Sequence, residues 1–174
     1  MKNKNVQFKA TTRPIIPLLL SCFAAVFILT PAPGIAVDQV PFSASFGTEF
    51  TSEFVPPFYL RVFVTGEGNA SHMGRTSAVT TDQLINLEDG TGTATYTLTG
   101  ANRDTVVVAI TAQNTDIPGG VMFAGDYTVT GGTGRFYGAT GSGSIAGSAL
   151  FTGPTNGVGS FTLAGTISSP GDGR

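Results

Sequence analysis

From Pro41 onward the chain alternates. Apolar and small polar residues trade places at every second position, and no stretch shows a convincing 3.6-residue repeat. Side chains of an extended strand point to opposite faces at period two, so this pattern dictates strands with one dry face and one wet or thinly covered face. The clearest case is Thr91 to Gly100, where Thr91, Thr93, Thr95, Thr97 and Thr99 share one face and Ala94, Tyr96 and Leu98 the other. Val158 to Ser168 sets Phe161, Leu163 and Ile167 against Ser160, Thr162, Thr166 and Ser168. Ser142 to Phe151 sets Ile145, Ala149 and Phe151 against Ser142, Ser144 and Ser148. Further strands are predicted at Phe42 to Thr51, Phe58 to Gly66, Asn69 to Thr80, Gln83 to Leu87, Thr105 to Ala112 and Val121 to Thr130. Turns such as Asp89-Gly90 and Pro118-Gly119-Gly120 separate them.

Short, evenly spaced strands suggest a barrel or a sandwich, and Gly143, Gly147, Gly159 and Gly165 inside the late strands favour the barrel, where glycine relieves crowding at bends. The expected fold is all-β: an antiparallel closed β-barrel of about eight strands. Its polar faces are Thr and Ser, not the apolar band of an outer-membrane barrel. Val106-Val107-Val108-Ala109-Ile110 breaks the alternation by being apolar on both faces. Two readings stand: a central strand covered outside by a loop or terminus, or a subunit contact.

The first 36 residues read as an address. Lys2, Lys4, Lys9 and Arg13 precede an apolar run from Leu18 to Leu29, too short for the roughly 20 residues of a spanning helix. Pro31 and Pro33 follow, and then the small-residue stretch Gly34-Ile35-Ala36, the order of a secretory signal peptide with cleavage after Ala36. An uncleaved anchor is one alternative. A lipoprotein is another, since Leu19-Leu20-Ser21-Cys22 loosely resembles a lipobox. Residues 37–174 then form a single domain, secreted or periplasmic, with five Arg, no Lys and eleven acids, a net charge of −6. Such a domain gains no counterion-release energy on nucleic acid or anionic membrane, so neither is an expected partner. Cys22 leaves with the leader, and one His without Cys cannot complete a zinc site, so no metal or cofactor is expected.

Gly131-Gly132-Thr133-Gly134-Arg135-Phe136-Tyr137-Gly138-Ala139-Thr140-Gly141 resembles the glycine-rich hairpin of the allene oxide cyclase barrel-like and dirigent-like proteins, G-G-[ST]-G-x-F-x-x-A-x-G. Gly131, Gly132, Thr133, Gly134, Phe136, Ala139 and Gly141 match its fixed positions. Gly66 to Arg75 and Gly165 to Gly171 resemble small secreted bacterial members, although Arg103 stands where their A-N-G-D turn has Gly. The resemblance implies an eight-stranded barrel around an apolar lumen, trimeric in many plant relatives, where the lumen takes an oxylipin epoxide or a phenolic radical. It brings no catalytic carboxylate to a position of this chain. In the hairpin itself, glycines permit a tight turn and Phe136 is placed to plug the barrel end.

Candidate ligand-binding residues are Tyr59, Arg61 and Phe63, which share a face, with His72, Tyr96, Asp126 and Tyr127. An Arg between aromatics suits an acidic or phenolic ligand, or snorkels at a rim. His72, read as strand-borne, is either a structural surface residue or a general base needing a carboxylate in reach. Other signals fail on context. Gly141-Ser142-Gly143-Ser144-Ile145-Ala146 fits a dinucleotide fingerprint but leads into a strand. Phe136 stands where the calcium nonapeptide requires Asp. Three function classes follow: a small hydrophobic or phenolic ligand held in the lumen; a cyclase, isomerase or dirigent-type protein steering a reactive intermediate; and an extracellular association protein. The second predicts a buried ionisable group in the lumen from among Arg61, His72 and Asp126.

Overall fold

The computed structural model describes residues 38–168 and 170–171, so the expected leader, Cys22 included, lies outside the described residues. Among the described residues eight strands follow one another: β1 (Gln39–Val55), β2 (Tyr59–Ala70), β3 (Gly74–Asn86), β4 (Thr91–Gly100), β5 (Thr105–Ile117), β6 (Gly120–Gly132), β7 (Gly141–Phe151) and β8 (Asn156–Ser168). Each pairs antiparallel with the next, and β8 pairs back to β1, closing the barrel in chain order. Closure leaves no sheet edge.

The alternation carries straight into burial. On β1, Phe42, Ala44, Phe46 and Phe50 are buried while Ser43, Ser45, Gly47 and Glu49 are exposed. The inner rings interlock: Phe46 lies 5.0 Å from Phe161, and Phe161 lies 5.2 Å from Tyr96, centroid to centroid. Their room comes from glycine. A Cβ built on Gly143 would meet the Tyr127 ring at 2.7 Å, and one on Gly165 would meet the Tyr127 hydroxyl at 2.7 Å. Burying each such aromatic or aliphatic side chain contributes about 1.5–3 kcal/mol.

Two strand boundaries differ from the sequence expectation. Asn69 to Thr80 is not one strand, because a turn at 71–73 splits it, closed by the Met73 amide donating to the Ala70 carbonyl (3.2 Å). His72 sits in that turn at φ 66°, not on a strand. Conversely, the strand predicted at Gln83 to Leu87 is the second half of β3 as far as Asn86, with Leu87 in the turn that follows. Val62 pairs Gln83 while Val64 pairs Thr80, and Leu84 pairs Thr93 while Val79 pairs Thr97, so β3 carries one extra residue against both neighbours. That bulge moves the inward row from Thr76, Ala78 and Thr80 to Gln83 and Ile85. On β5, Val106, Val108 and Ile110 are buried inside, and the outward Val107 and Ala109 are half-covered. Among the described residues, those opposite them on the flanking strands include Thr97, Thr95 and Thr128.

The barrel's two ends differ. At one, Gly134–Phe136 form a single 3-10 turn that carries Phe136 inward to 1% exposure, with Met73 and Ala139 also buried. Arg135 lies over the Phe136 ring, 5.6 Å from its centroid, and donates to Asp104 Oδ2 (2.9 Å) and to the His72 carbonyl (3.1 Å). Three turns are thereby tied across this end. Gly134 is required there: its φ is 60°, and a Cβ would strike the Asp104 carboxylate. The other end, with turns at 56–58, 87–90, 118–119 and 152–155, carries no such plug among the described residues.

Candidate functional site

Inside the barrel is a cavity of about 440 Å³ that opens beside the 87–90 turn. Its wall is apolar, built from inward residues such as Phe50, Val62, Ile110, Ile145 and Phe161. The size and the mostly apolar lining, with polar side chains such as Gln83, Tyr96 and Asn114 set into it, are those of a small-molecule site. Two kinds of side chain mark the mouth: the exposed apolar Leu87 and Phe151, and the carboxylates of Glu88, Asp89 and Asp116. No cationic side chain lines the cavity among the described residues. The Thr91 hydroxyl and amide donate to Asp89 (2.6 and 2.9 Å), holding its carboxyl below the usual range and the 87–90 turn in place.

Of the predicted ligand-binding residues, the lumen receives Tyr96. Tyr59 and Phe63 lie on the outer wall with Arg61, whose guanidinium pairs with Glu53 (2.9 Å) in an exposed ion pair. They do share a face, but it is the outward one, while Leu60, Val62 and Val64 point in. Asp126 is exposed outside, and His72 is exposed at the plugged end with Nε2 2.9 Å from the Pro41 carbonyl. None of Arg61, His72 and Asp126 therefore supplies the buried ionisable group expected of a cyclase lumen. Tyr127 is inward but lies beneath the cavity, edge-on to Phe42 at 6.3 Å, and its buried hydroxyl has no protein partner.

Sequence reasoning missed Asp82 and Gln83, and the bulge explains both. Where β3 slips by one residue, the Thr95 amide loses its regular ladder partner, and Asp82 Oδ1 accepts it instead (2.9 Å), also taking the Thr80 hydroxyl (2.8 Å). Burial pushes the Asp82 carboxyl up, but the Thr95 amide and the Thr80 and Thr95 hydroxyls outweigh it and hold the group below the usual range. The same slip turns Gln83 into the lumen, where Tyr96 Oη donates to Gln83 Oε1 (3.0 Å). Tyr96 is 6% exposed. Burial first, and the Asp82 charge second, push its phenol far above the ordinary tyrosine value, so it stays protonated and acts as a donor, not a base. A sequence signal existed. The inward row stops alternating between Thr80 and Gln83.

No family model matches the chain, and no curated protein matches it. Among solved structures, it is similar to a pterocarpan synthase dirigent protein at 14% sequence identity, over 83% of this chain and 99% of that one, with a TM-score of 0.46. Metal-ligand clusters of three or more His, Cys, Asp or Glu are absent among the described residues.

Proposed function

We propose that this chain is an exported binding protein that holds a small apolar or phenolic molecule inside its barrel. One observation carries the reading: a mostly apolar cavity of about 440 Å³ that opens at one end of a barrel whose other end is plugged by the buried Phe136. A chain selected only for stability would fill such a space, since each void forfeits packing energy. The basic-then-apolar leader supports export, and the threonine-lined outer wall supports a barrel that does not enter the bilayer. The seven matching hairpin positions, with Phe136 at the plug, support placing the chain beside the allene oxide cyclase barrel-like and dirigent-like proteins.

The chemistry of the lumen favours holding over transforming. Among the described residues, the cavity lining below its rim contains no carboxylate, imidazole or guanidinium, and the ionisable group there is the protonated Tyr96. A cyclase or a dirigent-type protein on this scaffold would work by shape and by the neutral hydrogen-bonding pair of Tyr96 and Gln83. Thermal melting against a panel of neutral aromatic and phenolic compounds tests the binding reading. A ligand at about a hundredfold its Kd adds ~2.7 kcal/mol, which corresponds to a rise of about 5 °C or more. Unchanged melting across the panel would overturn it.

A further inference from the structure

Gln83 offers the lumen an uncommitted hydrogen-bond donor, and its position names a class of ligand. This rests on the lumen being a binding site, as proposed above. Gln83 uses its Oε1 to accept the Tyr96 hydroxyl (3.0 Å), and its Nε2 donates to no protein atom among the described residues. That amide nitrogen is not sealed in protein, because among the described residues the fully buried side-chain polar atom without a partner is the Tyr127 hydroxyl. Gln83 lines the cavity together with Tyr96, so its amide opens into the lumen. The amide is also held in orientation. The Tyr96 phenol fixes one side of it, Phe161 packs edge-on to Tyr96 at 5.2 Å, and the β3 bulge, pinned by Asp82 on the Thr95 amide, aims the side chain inward.

We infer that Gln83 is a specificity-determining residue, donating from Nε2 to an acceptor oxygen on an otherwise apolar, uncharged ligand. An acceptor oxygen, as in a ketone, ether or phenol, satisfies the amide, whereas a pure hydrocarbon leaves it desolvated and unpaired. Carboxylates are disfavoured from outside. The ionisable groups at the mouth are Glu88, Asp89 and Asp116, and an anion has to pass or face all three. The lumen therefore selects a neutral aromatic or terpenoid-like body with one carbonyl, ether or hydroxyl oxygen.

Three matched probes test this by calorimetric titration of residues 37–174: 2-ethylnaphthalene, 2-acetylnaphthalene and 2-naphthoate. All share a ring body, and they differ in carrying no oxygen, a neutral acceptor oxygen, or an anion. The wild-type protein is expected to bind the ketone about three- to tenfold more tightly than the hydrocarbon, and the carboxylate more weakly than the ketone. Gln83→Met is expected to keep hydrocarbon binding and lose the ketone preference, while Tyr96→Phe, which releases the amide to turn, is expected to reduce that preference without abolishing it. Glu88→Gln with Asp116→Asn is expected to narrow the penalty on the carboxylate. Hydrocarbon binding without a ketone preference, or a preference that survives Gln83→Met, overturns the assignment and leaves the lumen reading intact. Failure of all three probes to bind overturns the lumen reading itself.

Discussion

Three residues report how local geometry was set against local preference. Arg103 occupies φ 69° in the β4–β5 turn, with its amide on the Gly100 carbonyl (2.9 Å). A left-handed backbone costs a side-chain-bearing residue about 1–2 kcal/mol, part of which glycine gives back as unfolded-chain entropy. Arg103→Gly should therefore raise stability by about 0.5–1 kcal/mol in a denaturant titration, and a loss would mean that the Arg side chain stabilises the turn. Tyr127 buries a hydroxyl without a protein partner. A lone buried hydroxyl carries a desolvation penalty of about 1–3 kcal/mol, so Tyr127→Phe should be neutral or stabilising, and a loss above about 1 kcal/mol would reveal a partner for that oxygen. Asp82 ties stability to pH. Its folded carboxyl titrates below the unfolded value of about 3.9, so its contribution is complete above that value and fades as pH falls through the lower folded one. The stability gap between wild type and Asp82→Asn should thus be widest near neutrality and shrink below about pH 4; a gap that does not change with pH would detach the carboxylate from the Thr95 amide.

Elements show which structural facts alternation can transmit. The plug is the sharpest case, since Phe136 hangs from a three-residue turn yet is 1% exposed. Phe136→Ala should cost about 3–5 kcal/mol by the usual toll of a large-to-small core change, read as a lowered denaturation midpoint; a change below about 1 kcal/mol would make the hairpin a mere flap. Its glycine pattern made that turn legible. The turn at 71–73 was not, because His72 takes a positive φ that a histidine does not advertise, and Ala70, His72 and Gly74 mimic the small-residue rhythm of a strand. The β3 bulge was legible as a break but was read as two strands, since an extra residue and a gap look alike in one dimension. Period two also joined Tyr59, Arg61 and Phe63 to one face without telling which face. A one-residue slip inverts a strand, and only pairing with β1 and β3 turned Val62 and Val64 inward.

For the whole molecule, closure followed from the sequence because eight alternating strands on short turns have few other ways to bury a row of Phe, Leu and Val. The emptiness of the lumen did not follow. Volume depends on how rings settle over glycines in neighbouring strands, as Tyr127 does over Gly143 and Gly165, and that needs register at every seam. The polar site shares the difficulty: Gln83 and Tyr96 are 13 residues apart and meet through the bulge. The central claim is that this space exists to be occupied. Its most direct test is one calorimetric comparison, titrating 2-acetylnaphthalene into the wild-type domain and into Ala112→Trp, which places an indole in the cavity from a lining position. The account predicts saturable one-to-one binding with a negative heat-capacity change in the wild type and at least about tenfold weaker binding in the folded variant, a difference of ~1.4 kcal/mol. Equal binding by the two proteins, or none by the wild type, would contradict it.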